Sequence, residues 1–257
     1  MNPGPPTYEV YALKVGEKHY DQSILLLHQP SGVYLDVCTW MWLILGGPEP
    51  IVVDTGFTPE RARQKDWFNL TPAPEMLRRM GVDARDVRRV IMTHMHWDHL
   101  NGHRYFPNAT FYIQQKELDF WTGPAARYHC FQQFVDPEHI ANVVRLNYEK
   151  RVVLLDGRVD FAPGITLHWV GGHTAGLQIV EVNTPHGTGV IASDVCHLYR
   201  NLEEEIPAGI IGDLPLMCLG WERVKALAHP SRLYLPGHDL LALQHFPGPA
   251  DGIAHLK

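Results

Sequence analysis

Short apolar stretches, bounded by glycine, proline and polar turns, recur along the whole chain, and most are too short to be helices. Residues 8–13 and 23–27 read as short strands, and residues 40–45 as a buried one running into Gly46-Gly47-Pro48. Residues 51–53 form an apolar strand that stops at Asp54-Thr55-Gly56. The pattern predicts a helix over 74–80 and a buried strand over 87–92. A strand over 109–113 then leads into a helix over 114–121, broken at Gly123-Pro124. Three more strands are predicted over 165–170, 178–182 and 189–192, followed by a helix over 221–228 and a strand over 233–235. Strands alternating with helices place the chain in the α/β class.

No low-complexity linker or internal repeat divides the sequence, so one domain over residues 1–257 is expected. At 45% hydrophobic and 19% charged, the chain is too apolar to be disordered. A net charge of -6 gives no general attraction to phosphate backbones or anionic membranes, so neither nucleic acid nor membrane is an expected partner. The first six residues carry no basic group followed by an apolar run, and residues 37–45 fall well short of the roughly 20 that a membrane helix needs. Cys38, Cys130, Cys196 and Cys218 are widely spaced and form no C-x-x-C pair, so they read as free thiols of a cytoplasmic protein.

The strong polar signals sit where strands give out into loops. The chain has 16 histidines, and His94, His96, Asp98 and His99 place four metal-capable side chains within six residues after the strand over 87–92. His173 follows Gly171-Gly172, Asp194 follows the strand over 189–192, and His238 follows Pro236-Gly237. Sites in α/β proteins gather at such strand ends.

The run His94-Met95-His96-Trp97-Asp98-His99 resembles the H-x-H-x-D-H signature of the metallo-β-lactamase superfamily, and His173, Asp194 and His238 match its later ligands in order. The resemblance spans Asp54 to His238 and implies an αβ/βα four-layer sandwich with the site at one edge. It further implies that His94, His96 and His173 hold one divalent ion, that Asp98, His99 and His238 hold a second, and that Asp194 bridges them. Nitrogen and oxygen ligands without thiolate suit two zinc ions, with manganese, iron or cobalt also open. In that family two ions about 3.5 to 4 Å apart share a hydroxide that attacks the substrate. Asp98 is then placed to pass a proton to the leaving oxygen, and Asp54 supports a ligand histidine from behind. On this reading Ser193 and Cys196 are packing or turn residues rather than nucleophiles.

Asp194 as a bridging ligand is unlike the β-lactamases proper, and only residues 239–257 follow His238, too few for the helical region of glyoxalase II. The chain is most similar to the N-acyl homoserine lactonase group, so the expected reaction is the opening of a lactone ring, with the lactone as its small-molecule partner. That group carries a tyrosine three residues after the bridging aspartate, aimed at the lactone carbonyl, where this chain has His197. His197, or Tyr199 two residues on, is the candidate for that contact. Two apolar segments, Trp40-Met41-Trp42 and the aromatic stretch from Phe120 to Phe134, are candidates for substrate specificity, with core packing the alternative reading of each, and residues 114–150 are a candidate substrate-capping segment. The competing readings are a hydrolase of another cyclic ester, amide or thioester in small-molecule catabolism, and a non-catalytic metal or signal binder. A homodimer is open, since the sequence shows no interface.

Overall fold

The structure is a computed structural model that describes residues 4–257. Among these residues there are twelve strands, in chain order β1 (Glu9–Asp21), β2 (Tyr34–Leu45), β3 (Ile51–Val53), β4 (Arg89–Ile91), β5 (Thr110–Gln114), β6 (Val152–Leu155), β7 (Arg158–Ala162), β8 (Ile165–Trp169), β9 (Gln178–Thr184), β10 (Gly187–Ser193), β11 (Leu233–Pro236) and β12 (Ile253–Leu256). They form two mixed sheets, one in the order β12-β1-β2-β3-β4-β5-β6 and the other β11-β10-β9-β8-β7.

The sheets pack face to face, and β2 shows why. Trp40, Trp42 and Ile44 point into the core shared with Leu167, Ile179 and Val190 of the second sheet. Met41 and Leu43, on the opposite face, join Met76 and Leu77 of the helix Ala73–Arg79 and Val143 and Leu146 of the helix Pro137–Tyr148. Both faces of β2 are covered, so it reads as an apolar run rather than an alternation. The helix Leu214–Leu227 covers the second sheet with Met217, Trp221 and Val224. The layers are therefore helices, sheet, sheet and helix, the αβ/βα sandwich expected. Trp40 and Trp42 are fully buried in this core, so of the two apolar segments this one is packing, not pocket.

Three expectations need correction. Residues 23–27 are not a strand, because the Asp21 carboxylate accepts the Ser23 N–H and starts a short helix, Gln22–Leu25. The first strand does not end at residue 13 but runs to Asp21, since the polar half from Lys14 onward is held by its register with β2, with Tyr20 opposite Leu35. The helix expected over 221–228 starts at Leu214, seven residues earlier than its apolar pattern, where Asp213 accepts the Leu216 N–H. Cys38 and Cys196 are buried free thiols, Cys218 is half-buried and Cys130 is exposed. No helix among the described residues is long and apolar enough to cross a membrane.

Strand direction positions the site. β3 and β4 are parallel, so Asp54 and the Thr93-to-His99 segment leave the first sheet at the same edge. β10 and β11 are parallel in the second sheet, which brings Asp194 and His238 to a common edge.

Candidate metal centre

Asp54 leaves β3 with a left-handed backbone (φ 59°), and its buried carboxylate accepts the Thr93 N–H, the Thr93 hydroxyl and the His99 Nδ1–H, each at 2.7 Å. Burial raises the Asp54 pKa, against the pull of His99 and Thr93. With Nδ1 committed to Asp54, His99 turns Nε2 toward the sheet edge. The same device recurs twice: His173 Nδ1 donates to the Ile210 carbonyl at 2.9 Å, and His238 Nδ1 donates to the Cys38 carbonyl at 2.8 Å. Each fixes one ring nitrogen and leaves Nε2 with a lone pair for another partner.

The chain bends sharply to make these approaches. Gly172 has φ 91°, and a Cβ there would lie 2.6 Å from the Met217 nitrogen. His96 starts a short helix, Trp97–Leu100, whose first turn presents Asp98 and His99 together.

His94, His96, Asp98, His99, His173, Asp194 and His238 all converge. His94, His96 and His173 form one group whose ligand atoms lie within 4.8 Å of one another, and Asp98, His99 and His238 form a second. Asp194 reaches both: its Oδ2 is 3.1 Å from His238 Nε2 and 3.3 Å from His173 Nε2, and its Oδ1 is 3.5 Å from His99 Nε2. Asp98 Oδ2 is 3.7 Å from both His99 Nε2 and His238 Nε2.

The donor set fits divalent ions. The buried Nε2 atoms of His94 and His99 have no hydrogen-bond partner among the described residues, a state that buried polar atoms rarely tolerate. Burial, then the neighbouring histidines, hold His94 well below the usual histidine range, so that its imidazole is neutral. Burial opposes ionisation of Asp194, but His238, His99 and His197 outweigh it and hold its pKa well below the carboxylate range. Burial likewise lowers His96 and His173, giving with the charged Asp194 the protonation forms that a metal requires, whereas at His99 and His238 the carboxylates of Asp194 and Asp98 outweigh burial and raise the imidazole pKa, so that an ion there would displace a proton.

The candidates for substrate contact separate. His197 is brought to the centre, buried, with Nε2 3.3 Å from Asp194 Oδ2 and Nδ1 without a partner among the described residues. Tyr199 is not. Its hydroxyl donates to the Tyr234 carbonyl at 3.3 Å, and its ring packs on Tyr234 and His245 in a different cavity. The Asp239 carboxylate accepts the Tyr199 N–H where a helix begins, which fixes that orientation. Ser193 and Cys196 both pack at the centre's back, Ser193 with φ 46° and its hydroxyl 3.0 Å from that of Thr93.

Sequence reasoning missed Tyr20, at the far end of β1. It lines the small cavity over Asp98, Asp194 and His197. Burial raises its pKa and the carboxylates of Asp98 and Asp194 raise it further, and its hydroxyl makes no hydrogen bond among the described residues. Beside the centre, and sharing His96 and His173 with it, is a cavity of about 550 Å³ walled by Phe120, Trp121, Phe131, Phe134 and Ile210.

The chain belongs to the metallo-β-lactamase superfamily, whose sequence profile matches residues 37–212. A curated relative, the N-acyl homoserine lactonase of Bacillus cereus, is 26% identical over 249 residues, covering 90% of this chain and 93% of its own. Among solved structures, an N-acyl homoserine lactone hydrolase with N-hexanoyl-L-homoserine at its catalytic metal centre has a TM-score of 0.75 at 21% identity, covering 94% of this chain and 96% of its own. A dizinc quorum-quenching lactonase has a TM-score of 0.72 at 16% identity, covering 98% and 95%.

Proposed function

We propose that this chain is a metal-dependent hydrolase that opens the ring of an N-acyl homoserine lactone, with zinc as the resident metal. The observation that carries this reading is the adjacency of the seven-residue centre to the apolar cavity, through the shared His96 and His173. Divalent ions held by these residues would supply a Lewis acid for the carbonyl and would lower the pKa of a bound water to about 7.

The chain's own groups do the rest. The Asp98 carboxylate, steadied by the Thr39 hydroxyl at 3.3 Å, accepts a proton from the attacking water and returns it to the ring oxygen as the ester bond breaks. His197 and Tyr20 face the small cavity and supply donors for the substrate's carbonyl oxygens. Segment 114–150 caps the site: Phe120, Trp121, Phe131 and Phe134 wall the larger cavity and exclude water from it. No lysine or arginine among the described residues lines either cavity, which favours an uncharged acyl chain over an anionic substituent.

Those aromatic walls also favour a second reading, a lactone bearing an aromatic ring. The test is kcat/KM across short-chain and long-chain acyl homoserine lactones, aryl-substituted lactones and a carboxylate-bearing lactone. Rising values with acyl length and little turnover of the anion support the proposal, while preference for the aryl lactones moves the assignment to the second reading. Efficient turnover of the anionic lactone contradicts both.

A further inference from the structure

Helix Gln115–Thr122 buries one charged side chain where its periodicity calls for an apolar one. Glu117 shares the inward face with Leu118 and Trp121, and it is 0% exposed. Its Oε1 accepts the Met95 N–H and the Trp121 Nε1–H, both at 2.8 Å. Its Oε2 accepts the Thr174 hydroxyl at 2.7 Å and the Gly176 N–H at 2.8 Å. Two donors on each oxygen use the carboxylate as an acceptor on every side. Burial raises its pKa, and all four donors pull against that rise.

The partners of these bonds are specific. Met95 lies between His94 and His96, Thr174 follows His173, and Trp121 stands 5.7 Å from His96, ring to ring, in the cavity wall. The approach is close enough that a Cβ on Gly176 would lie 2.3 Å from the Glu117 Cβ. The other half of the centre has its own supports, Asp54 behind His99 and the Cys38 carbonyl behind His238, with Asp54 also holding Thr93 beside His94.

We propose that Glu117 is a positioning residue that locks the two loops carrying His94, His96 and His173 to each other and to the cavity wall, and so sets the affinity of one half of the metal centre. The inference rests on the dinuclear reading of the centre. A glutamine at this position keeps the shape but offers an NH₂ to two of the four donors, so one loop loses its hold. Asp54 and Cys38 still secure the other half.

The test is cobalt titration of the metal-stripped protein, reading bound metal per chain and the visible absorption that reports cobalt geometry, for wild type, Glu117→Gln and Thr174→Val. The expected result is two tightly bound ions in wild type. In Glu117→Gln one ion stays tight and the other weakens roughly 10- to 100-fold, with an altered absorption band. Thr174→Val removes a single donor and weakens the same ion by less; if Glu117→Gln does not fold, this variant carries the test alone. Two tight ions with an unchanged spectrum in the variants overturn the role of Glu117. Fewer than two ions in wild type overturn the dinuclear reading itself, and this inference with it.

Discussion

Gly237 lies so close to Asp194 that a Cβ added to it would sit 2.0 Å from the carboxylate oxygen Oδ1. The end of β11 can deliver His238 only because the residue before it has no side chain. Gly237→Ala must displace the Asp194 carboxylate, which reaches both halves of the centre. Bound metal, measured by elemental analysis, is expected to fall well below the wild-type content, and Asp194→Ala is expected to lower it likewise. Full metal content in either variant contradicts the placement of Asp194.

Asp98 has a side chain 13% exposed, the most open of the carboxylates at the centre, and it faces the small cavity. Asp98→Asn keeps an oxygen for the metal and loses the proton carrier. The expectation is a fall in kcat of roughly 10²- to 10⁴-fold with KM nearly unchanged. Steady-state kinetics decide it, and an unaltered kcat removes Asp98 from the proton path.

Tyr20→Phe deletes a hydroxyl that holds no partner among the described residues, so thermal stability and metal content are expected to stay the same. Loss of a hydrogen bond to substrate lowers kcat/KM about tenfold. Lactone kinetics alongside a metal assay check this, and unchanged kcat/KM shows that the phenol does not touch substrate.

His103, outside the centre, is buried with Nδ1 donating to the Leu100 carbonyl at 3.0 Å. Burial, then the nearby His139, push its pKa down to about 4. The unfolded chain binds this proton near pH 6.5, so acidification through that window favours unfolding. The folded state keeps its full stability above about pH 6.5 and loses up to about 3 kcal/mol as pH falls toward 4. Urea unfolding at both ends of the window is expected to show a larger acid loss for wild type than for His103→Gln. Metal-ligand protonation affects both proteins alike, so equal losses contradict the assignment.

The cluster of His94, His96, Asp98 and His99 was legible because metal binding constrains residue type and spacing directly. His173, Asp194, His238 and the supporting role of Asp54 were legible only through the resemblance to the metallo-β-lactamase superfamily, since they lie far apart in sequence and meet only in the fold. Tyr20 was not, since it lies on the polar half of β1, where strand structure comes from pairing with β2 rather than from an apolar pattern. Glu117 left a signal that could have been read, a lone carboxylate on the apolar face of a helix. Its partners, Met95, Thr174 and Gly176, are brought to it only by the packing of the two sheets. The misplacement of Tyr199 has the same root, because sequence separation from Asp194 says nothing about which way a side chain turns at a helix start.

The most direct test follows proton release from a long-chain N-acyl homoserine lactone by the purified protein as isolated, after chelator treatment, and after zinc is restored. The expected result is rapid release, its loss on stripping, its return with about two equivalents of zinc, and the ring-opened acid as product. Hydrolysis that survives complete stripping, or none of any lactone with both ions bound, contradicts it.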